Sequence, residues 1–215
     1  MSTAIPPPGR QLSRRQGGVI TRRQALAVGL PATTVESWVQ RGHWTRLARG
    51  IYATSGGPPS REALLWAALL RAGPGAVLSH ETAAELLGLL PWPAPAIHVT
   101  VPARRNPDRA GTMARVVVHR SDRAGPRGAS PGRRGTGRGW RLPHTGIDDT
   151  VIDLTQTSAS FGEAFSWLSR AVILGLTTPR QLSWSAAGRV RLHWRAEIGA
   201  ALAELGRGGR PAQKK

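Results

Sequence analysis

The chain has 215 residues, 40% apolar and 20% charged, a balance that belongs to a globular protein able to bury a core rather than to a disordered chain. It contains no cysteine, which excludes disulfide scaffolds, thiolate metal centres and thiol catalysis. Thirty Lys+Arg against twelve Asp+Glu leave a formal charge of +18, which points to polyanionic partners, nucleic acid first among them.

Residues 1–16 are rich in Pro and Arg, carry no periodicity and no secretory apolar segment, and are expected to form a flexible arm. Residues 17–55 read as one unit. Thr21 is placed to cap a short helix over 22–28, Gly29 supplies a turn, and Pro31 stands near the first turn of a second helix over 32–41. Ala25 is the small residue a helix-turn-helix needs where its helices cross, and Val28, Leu30, Val35 and Trp38 occupy the locking positions. Gln24 stands where an apolar residue is commoner. Two β-prone stretches, Trp44 to Leu47 and Ile51 to Thr54, join through Ala48-Arg49-Gly50 as a hairpin, the wing of a winged helix.

A Gly/Pro break at 56–59 precedes a second domain, 60–205. Ser60 caps a helix to about Arg71; its apolar run, Ala63 to Leu70, is eight residues, far short of a membrane span. Ser79 is expected to cap a helix over about 80–88. Ile97 to Val101 and Arg115 to His119 are β-branched and read as strands. Residues 122–141 hold six glycines and six arginines and are expected to be an exposed loop. Thr150 to Leu154 reads as a short helix or strand, and 161–174 as a helix with Phe165, Leu168 and Val172 on one face. A last helix is expected from about Arg191 to Leu205, ended by Gly206, with a basic tail over 206–215. The class is α+β: an N-terminal winged helix-turn-helix followed by a mixed α+β domain with no βαβ rhythm.

If the second helix enters a major groove, turning Val35, Trp38 and Val39 inward leaves Thr33, Thr34, Ser37, Gln40 and Arg41 outward, where short polar side chains and one arginine reach base edges. Arg46 and Arg49 on the wing, with Arg22 and Arg23 at the first helix, suit phosphate or minor-groove contact. Glu36 opposes this, since phosphates repel it.

The runs QGGVITRRQALAVGL, RGHWTRLARGIYA and AALLRAGPGAVLSHETAAELLGL, followed by IHVTV, RVVVH and LPHTGIDDTVIDL, resemble the AbiEi antitoxins, winged-helix regulators of type IV toxin–antitoxin and phage-defence loci. The resemblance spans about 16–208 and is thinnest at 122–139. It implies operator DNA binding by the N-terminal unit, autorepression of an operon, and neutralisation of a toxin encoded nearby without a stable complex. In many members the recognition helix is richer in arginine than TTVESWVQR. Related actinobacterial chains continue into a nuclease domain similar to very-short-patch-repair enzymes, which is expected to be absent here.

No catalytic constellation is visible, and the expectation is a cytoplasmic non-enzyme with no cofactor, no metal and no membrane partner. A metal-dependent nuclease needs Asp and Glu with a nearby Lys; Glu163 is followed by Ala164 and Phe165, and Asp148, Asp149, Asp153 and Glu163 read as helix-start residues. None of the six histidines falls in a ligand spacing such as HExxH, although His98 and His119 can face each other on paired strands as structural residues. Two other readings stand beside the regulator: a truncated endonuclease-like protein that keeps only DNA targeting, and a basic RNA-associated protein.

Overall fold

Helix α1, Pro7–Arg15, occupies the stretch expected to be a loose arm. Proline at its start has no N–H to waste, and Arg14 and Arg15 sit in its last turn, where cations suit the helix dipole. Its buried face is only Gly9 and Ser13, which is why no apolar period announces it. Gly9 permits close approach, since a Cβ there would lie 2.7 Å from Ile5 Cγ2 and 3.0 Å from Val28 Cγ2. Ser13 Oγ is 2.8 Å from Thr54 Oγ1, tying α1 to the segment after the wing.

This computed structural model describes residues 5–105, 114–123, 129–130 and 142–208. The chain divides into two units, residues 1–78 with 95–126 and residues 79–94 with 127–215. The division expected at residues 56–60 is therefore not where the chain parts: 60–78 and 95–126 fold with the first unit.

In the first unit, α1 is followed by β1 (Val19–Thr21), α2 (Arg22–Ala27), α3 (Ala32–Gln40), β2 (Thr45–Ala48), β3 (Ile51–Ala53) and α4 (Arg61–Ala72). The three strands form an antiparallel sheet in the order β1-β3-β2. Ser60 Oγ accepts from the Ala63 N–H and starts α4, whose Ala63 and Ala67 pack on Val19, Leu47, Ala48, Ile51 and Ala53 of the sheet. Small alanines on the helix let it approach the branched strand residues closely, which suits native packing density.

The unit continues with β4 (Val77–Leu78), β5 (Ile97–Pro102) and β6 (Val116–Ser121). β4 is antiparallel to β5, whereas β5 and β6 run parallel, a pairing that strand propensity does not reveal. Their register sets His98 opposite Val117 and His119 opposite Thr100, so both histidines share one face of the pair. The rings stack at 15° with centroids 5.3 Å apart, and His98 Nδ1 lies 3.0 Å from His119 Nε2.

Burial, with His98 alongside, lowers the His119 pKa from 6.5 to about 4. The unfolded chain then takes up this proton first on acidification. Stability from the neutral ring is complete above pH 6.5 and is lost as pH falls toward 4. We expect an NMR titration to place the His119 ring near 4, and His119→Asn to flatten the pH dependence of the unfolding midpoint in that window. A ring that titrates at its ordinary value would contradict the burial.

The second unit holds α5 (His80–Leu86), β7 (Ala129–Ser130), β8 (His144–Thr145), α6 (Ile147–Thr157), α7 (Phe161–Ile173), α8 (Pro179–Ala187) and α9 (Arg195–Gly208). Its core gathers Ala84, Leu89, Val151, Ile152, Leu154, Leu168, Ala171, Leu182, Ile198, Ala201 and Leu202. Several expectations change here. Ser79 makes no cap to the α5 backbone; its hydroxyl meets His80 Nδ1 at 3.0 Å, and His80 takes a positive φ of 50°. The buried stripe of α7 is Ala164, Leu168 and Ala171, while Phe165 is exposed. α8 begins on a Thr178 cap with Pro179 at its start, a helix-start signal carried by the sequence itself. α9 starts at Arg195 and runs on through Gly206, so residues 206–208 belong to a helix and not to a tail. Within 122–141, Ala129 and Ser130 pair with Thr145 and His144; residues 124–128 and 131–141 lie outside the described residues, as do 209–215.

Candidate nucleic-acid interface

Thr21 Oγ1 accepts from the Gln24 N–H, and Gln24 Oε1 accepts from the Thr21 N–H, which closes a capping box at the start of α2. Gln24 also clasps Gln16 through two amide hydrogen bonds of 3.1 and 2.9 Å. The residue that looked out of place in a helix-turn-helix thus joins α2 to the end of α1. Gly29 turns the chain at φ 88°, and the Leu30 N–H donates to the Ala25 carbonyl before Pro31 introduces α3. Val35 and Trp38 are the buried residues of α3, one turn apart. Trp38 meets Trp44 at 5.0 Å between ring centroids, and Trp44 meets Tyr52 at 5.9 Å, so three aromatic rings carry the helix on the wing strands.

That packing leaves Thr33, Gln40 and Arg41 exposed and Thr34 and Ser37 half-buried along one side of α3, with Arg41 at its C-cap. Arg22 and Arg23 open α2 and are exposed. Glu36, read as an obstacle to phosphate, lies 3.6 Å from Arg22 as an exposed ion pair. Arg22 therefore neutralises Glu36 as well as facing outward; the pair is worth little in stability because both groups stay solvated.

On the wing, β2 and β3 shift register between Arg46 and Ala48, a bulge that lets Arg46 stay exposed while Leu47 and Ala48 are buried. Arg46 lies 5.9 Å from the Tyr52 ring centroid, which steadies its outward reach. Arg49 is exposed at the tip beside Gly50, whose φ of 68° favours glycine. The Arg22 N–H donates to the Gly50 carbonyl at 2.7 Å, so the wing tip and the start of α2 lie side by side. Arg22 and Arg49 thereby come into one neighbourhood. Reasoning from sequence missed β1, which pairs with β3, and it missed Arg10, Arg14 and Arg15, exposed on α1. The arginine spacing was the available signal for α1.

A two-helix turn thus stands with a strand before it and a hairpin behind it. Residues 10–55 match the family described as "Transcriptional regulator, AbiEi antitoxin". This segment resembles an AbiEi-type winged helix. The match begins inside α1 and ends just past β3, so the α1 extension lies within the AbiEi-type segment. No curated protein matches the chain. Among solved structures, the chain is similar to the RV2827C protein of Mycobacterium tuberculosis, with a TM-score of 0.59 and 20% identity over 95% of this chain and 77% of that one. The likeness is one of fold. It extends beyond the AbiEi-type segment.

Asp148, Asp149, Asp153 and Glu163 of the second unit are engaged in structure. Asp149 and Asp153 meet Arg189 at 3.0 and 2.7 Å, and Asp148 accepts from the Thr177 hydroxyl. Glu163 accepts from the Ala159 N–H and caps α7 with Ser160. Asp153 lies well inside α6 and is not a helix-start residue as its sequence position suggested; it serves an ion pair with a distant helix end.

Proposed function

We propose that the chain is a DNA-binding transcriptional regulator of the antitoxin type, which binds operator DNA upstream of its own gene and represses that operon. A toxin encoded nearby is opposed without a stable complex. The observation that carries this reading is the polar side of α3 beside a wing bearing Arg46 and Arg49, in the segment that matches the AbiEi family. α3 enters the major groove, where Gln40 and Arg41 are the side chains long enough to bond two atoms of one base. Arg22, Arg23, Arg46 and Arg49 hold the backbone on either side, while Thr33, Thr34 and Ser37 fill the groove face. The second unit serves regulation and needs no chemistry of its own.

Two arginines separate the roles. Arg41→Ala is expected to lower the preference for upstream DNA over a shuffled duplex, by roughly 1–3 kcal/mol if one bidentate base contact is lost. Arg49→Ala is expected to weaken both complexes equally and to reduce the salt dependence by about one phosphate contact. Fluorescence anisotropy titrations at several salt concentrations measure both. Wild-type protein with no preference for its upstream DNA, or two variants that bind like wild type, would refute the reading.

A further inference from the structure

We infer that His98 and His119 form a binding site for one divalent transition metal ion, which staples β5 to β6. The two residues stand diagonally on adjacent parallel strands, on one face, at positions fixed by six consecutive register pairs from Ile97↔Val116 to Pro102↔Ser121. Diagonal neighbours on a sheet face lie within reach of long side chains, and here the reach converges: one ring presents Nδ1 and the other Nε2, 3.0 Å apart. A tetrahedral ion with metal–nitrogen bonds of about 2.0–2.1 Å holds its ligand nitrogens about 3.3 Å apart. The observed pair needs to open by only a few tenths of an ångström.

In the metal-free protein one proton shared between the rings holds the same geometry. On metal binding that proton moves to the other nitrogen of the ring that carried it, and the ion bonds both facing nitrogens through their lone pairs. Imidazole ligands select zinc, nickel or copper over magnesium and calcium, which take oxygen. Both rings are half-buried, so the surroundings restrict their orientation. β6 flanks β5 on the side away from β4, and the staple gains its effect by fastening that strand to its neighbour.

The test uses the full chain free of any polyhistidine tag. Calorimetric titration with Zn²⁺ and Ni²⁺ is expected to show saturable one-to-one binding, and saturating metal to raise the unfolding midpoint, with no response to Mg²⁺. His98→Ala and His119→Ala are each expected to abolish the midpoint shift, whereas His193→Ala, an exposed histidine in the other unit, retains it. Wild-type protein supplies a check that needs no variant: the Cu²⁺ electron paramagnetic resonance spectrum is expected to show coupling to at least two imidazole nitrogens. NMR is expected to show zinc-dependent shifts of the His98 and His119 rings. Absence of binding, coupling to a single nitrogen, ring shifts elsewhere only, or loss of the response in His193→Ala would overturn the inference.

Discussion

Trp38→Ala is expected to destabilise the N-terminal winged helix strongly. Trp38 is 5% exposed and stands between Val35 on its own helix and Trp44 on the wing side. Truncating a buried tryptophan costs roughly 3–5 kcal/mol, and loss of its ring pair with Trp44 adds to this. A domain stabilised by 5–15 kcal/mol loses a large part of its margin in one step. Urea denaturation followed by circular dichroism reads the change as an early transition. Trp184→Ala is the matched control: Trp184 is 66% exposed with Arg180 over its ring, and surface changes of this kind stay within about 0.5 kcal/mol. Equal effects from the two substitutions would mean that Trp38 does not hold α3 to the wing.

Arg189→Ala is expected to destabilise the second unit by about 3 kcal/mol, at the lower end of the range for breaking a buried pair. The arginine side chain is 14% exposed and pairs with Asp153 at 14% and Asp149 at 28% exposure. Removing it takes away the guanidinium that two carboxylates share in a partly dry site, while the Ser185 hydroxyl still donates to Asp149. The lower end applies because Asp149 keeps contact with water. A triple variant, Arg189→Met with Asp149→Asn and Asp153→Asn, removes the stranded charges and is expected to recover part of the loss. If thermal unfolding shows Arg189→Ala to be as stable as wild type, the network is peripheral to the fold.

These two sites differ in how far the sequence discloses them. The helix-turn-helix was legible because its signals are local: the Thr21 cap, the turn at Gly29, Pro31 before α3, and inward Val35 and Trp38 lie within one short stretch. Gln24 was visible and misread, since a capping box at N3 and an amide clasp to Gln16 both want a polar residue where packing alone wants an apolar one. α1 escaped notice because its inward face is a glycine and a serine. Longer-range facts had no local trace. Nothing near Asp149 or Asp153 names Arg189 as the partner, and β-branched runs do not say whether β5 and β6 run parallel. The convergence of His98 and His119 follows from that register alone, which no ligand-spacing motif encodes.

The bond from the Arg22 N–H to the Gly50 carbonyl fastens the tip of the wing to the helix pair, and the bulge in β2 lies between that anchor and Arg46. Under the proposed function, a wing secured at its tip would arrive at a duplex already in its final shape. Little ordering entropy would then be spent on contact, and the separation between the proposed groove-reading and backbone-holding groups would stay fixed. The duplex would supply whatever adjustment is needed. Pyrimidine–purine steps, which bend and unstack easily, would be favoured between the two contact regions even where no side chain touches a base. The operator would be selected partly for its compliance, and substitutions that stiffen the untouched spacer would weaken binding as surely as a lost arginine.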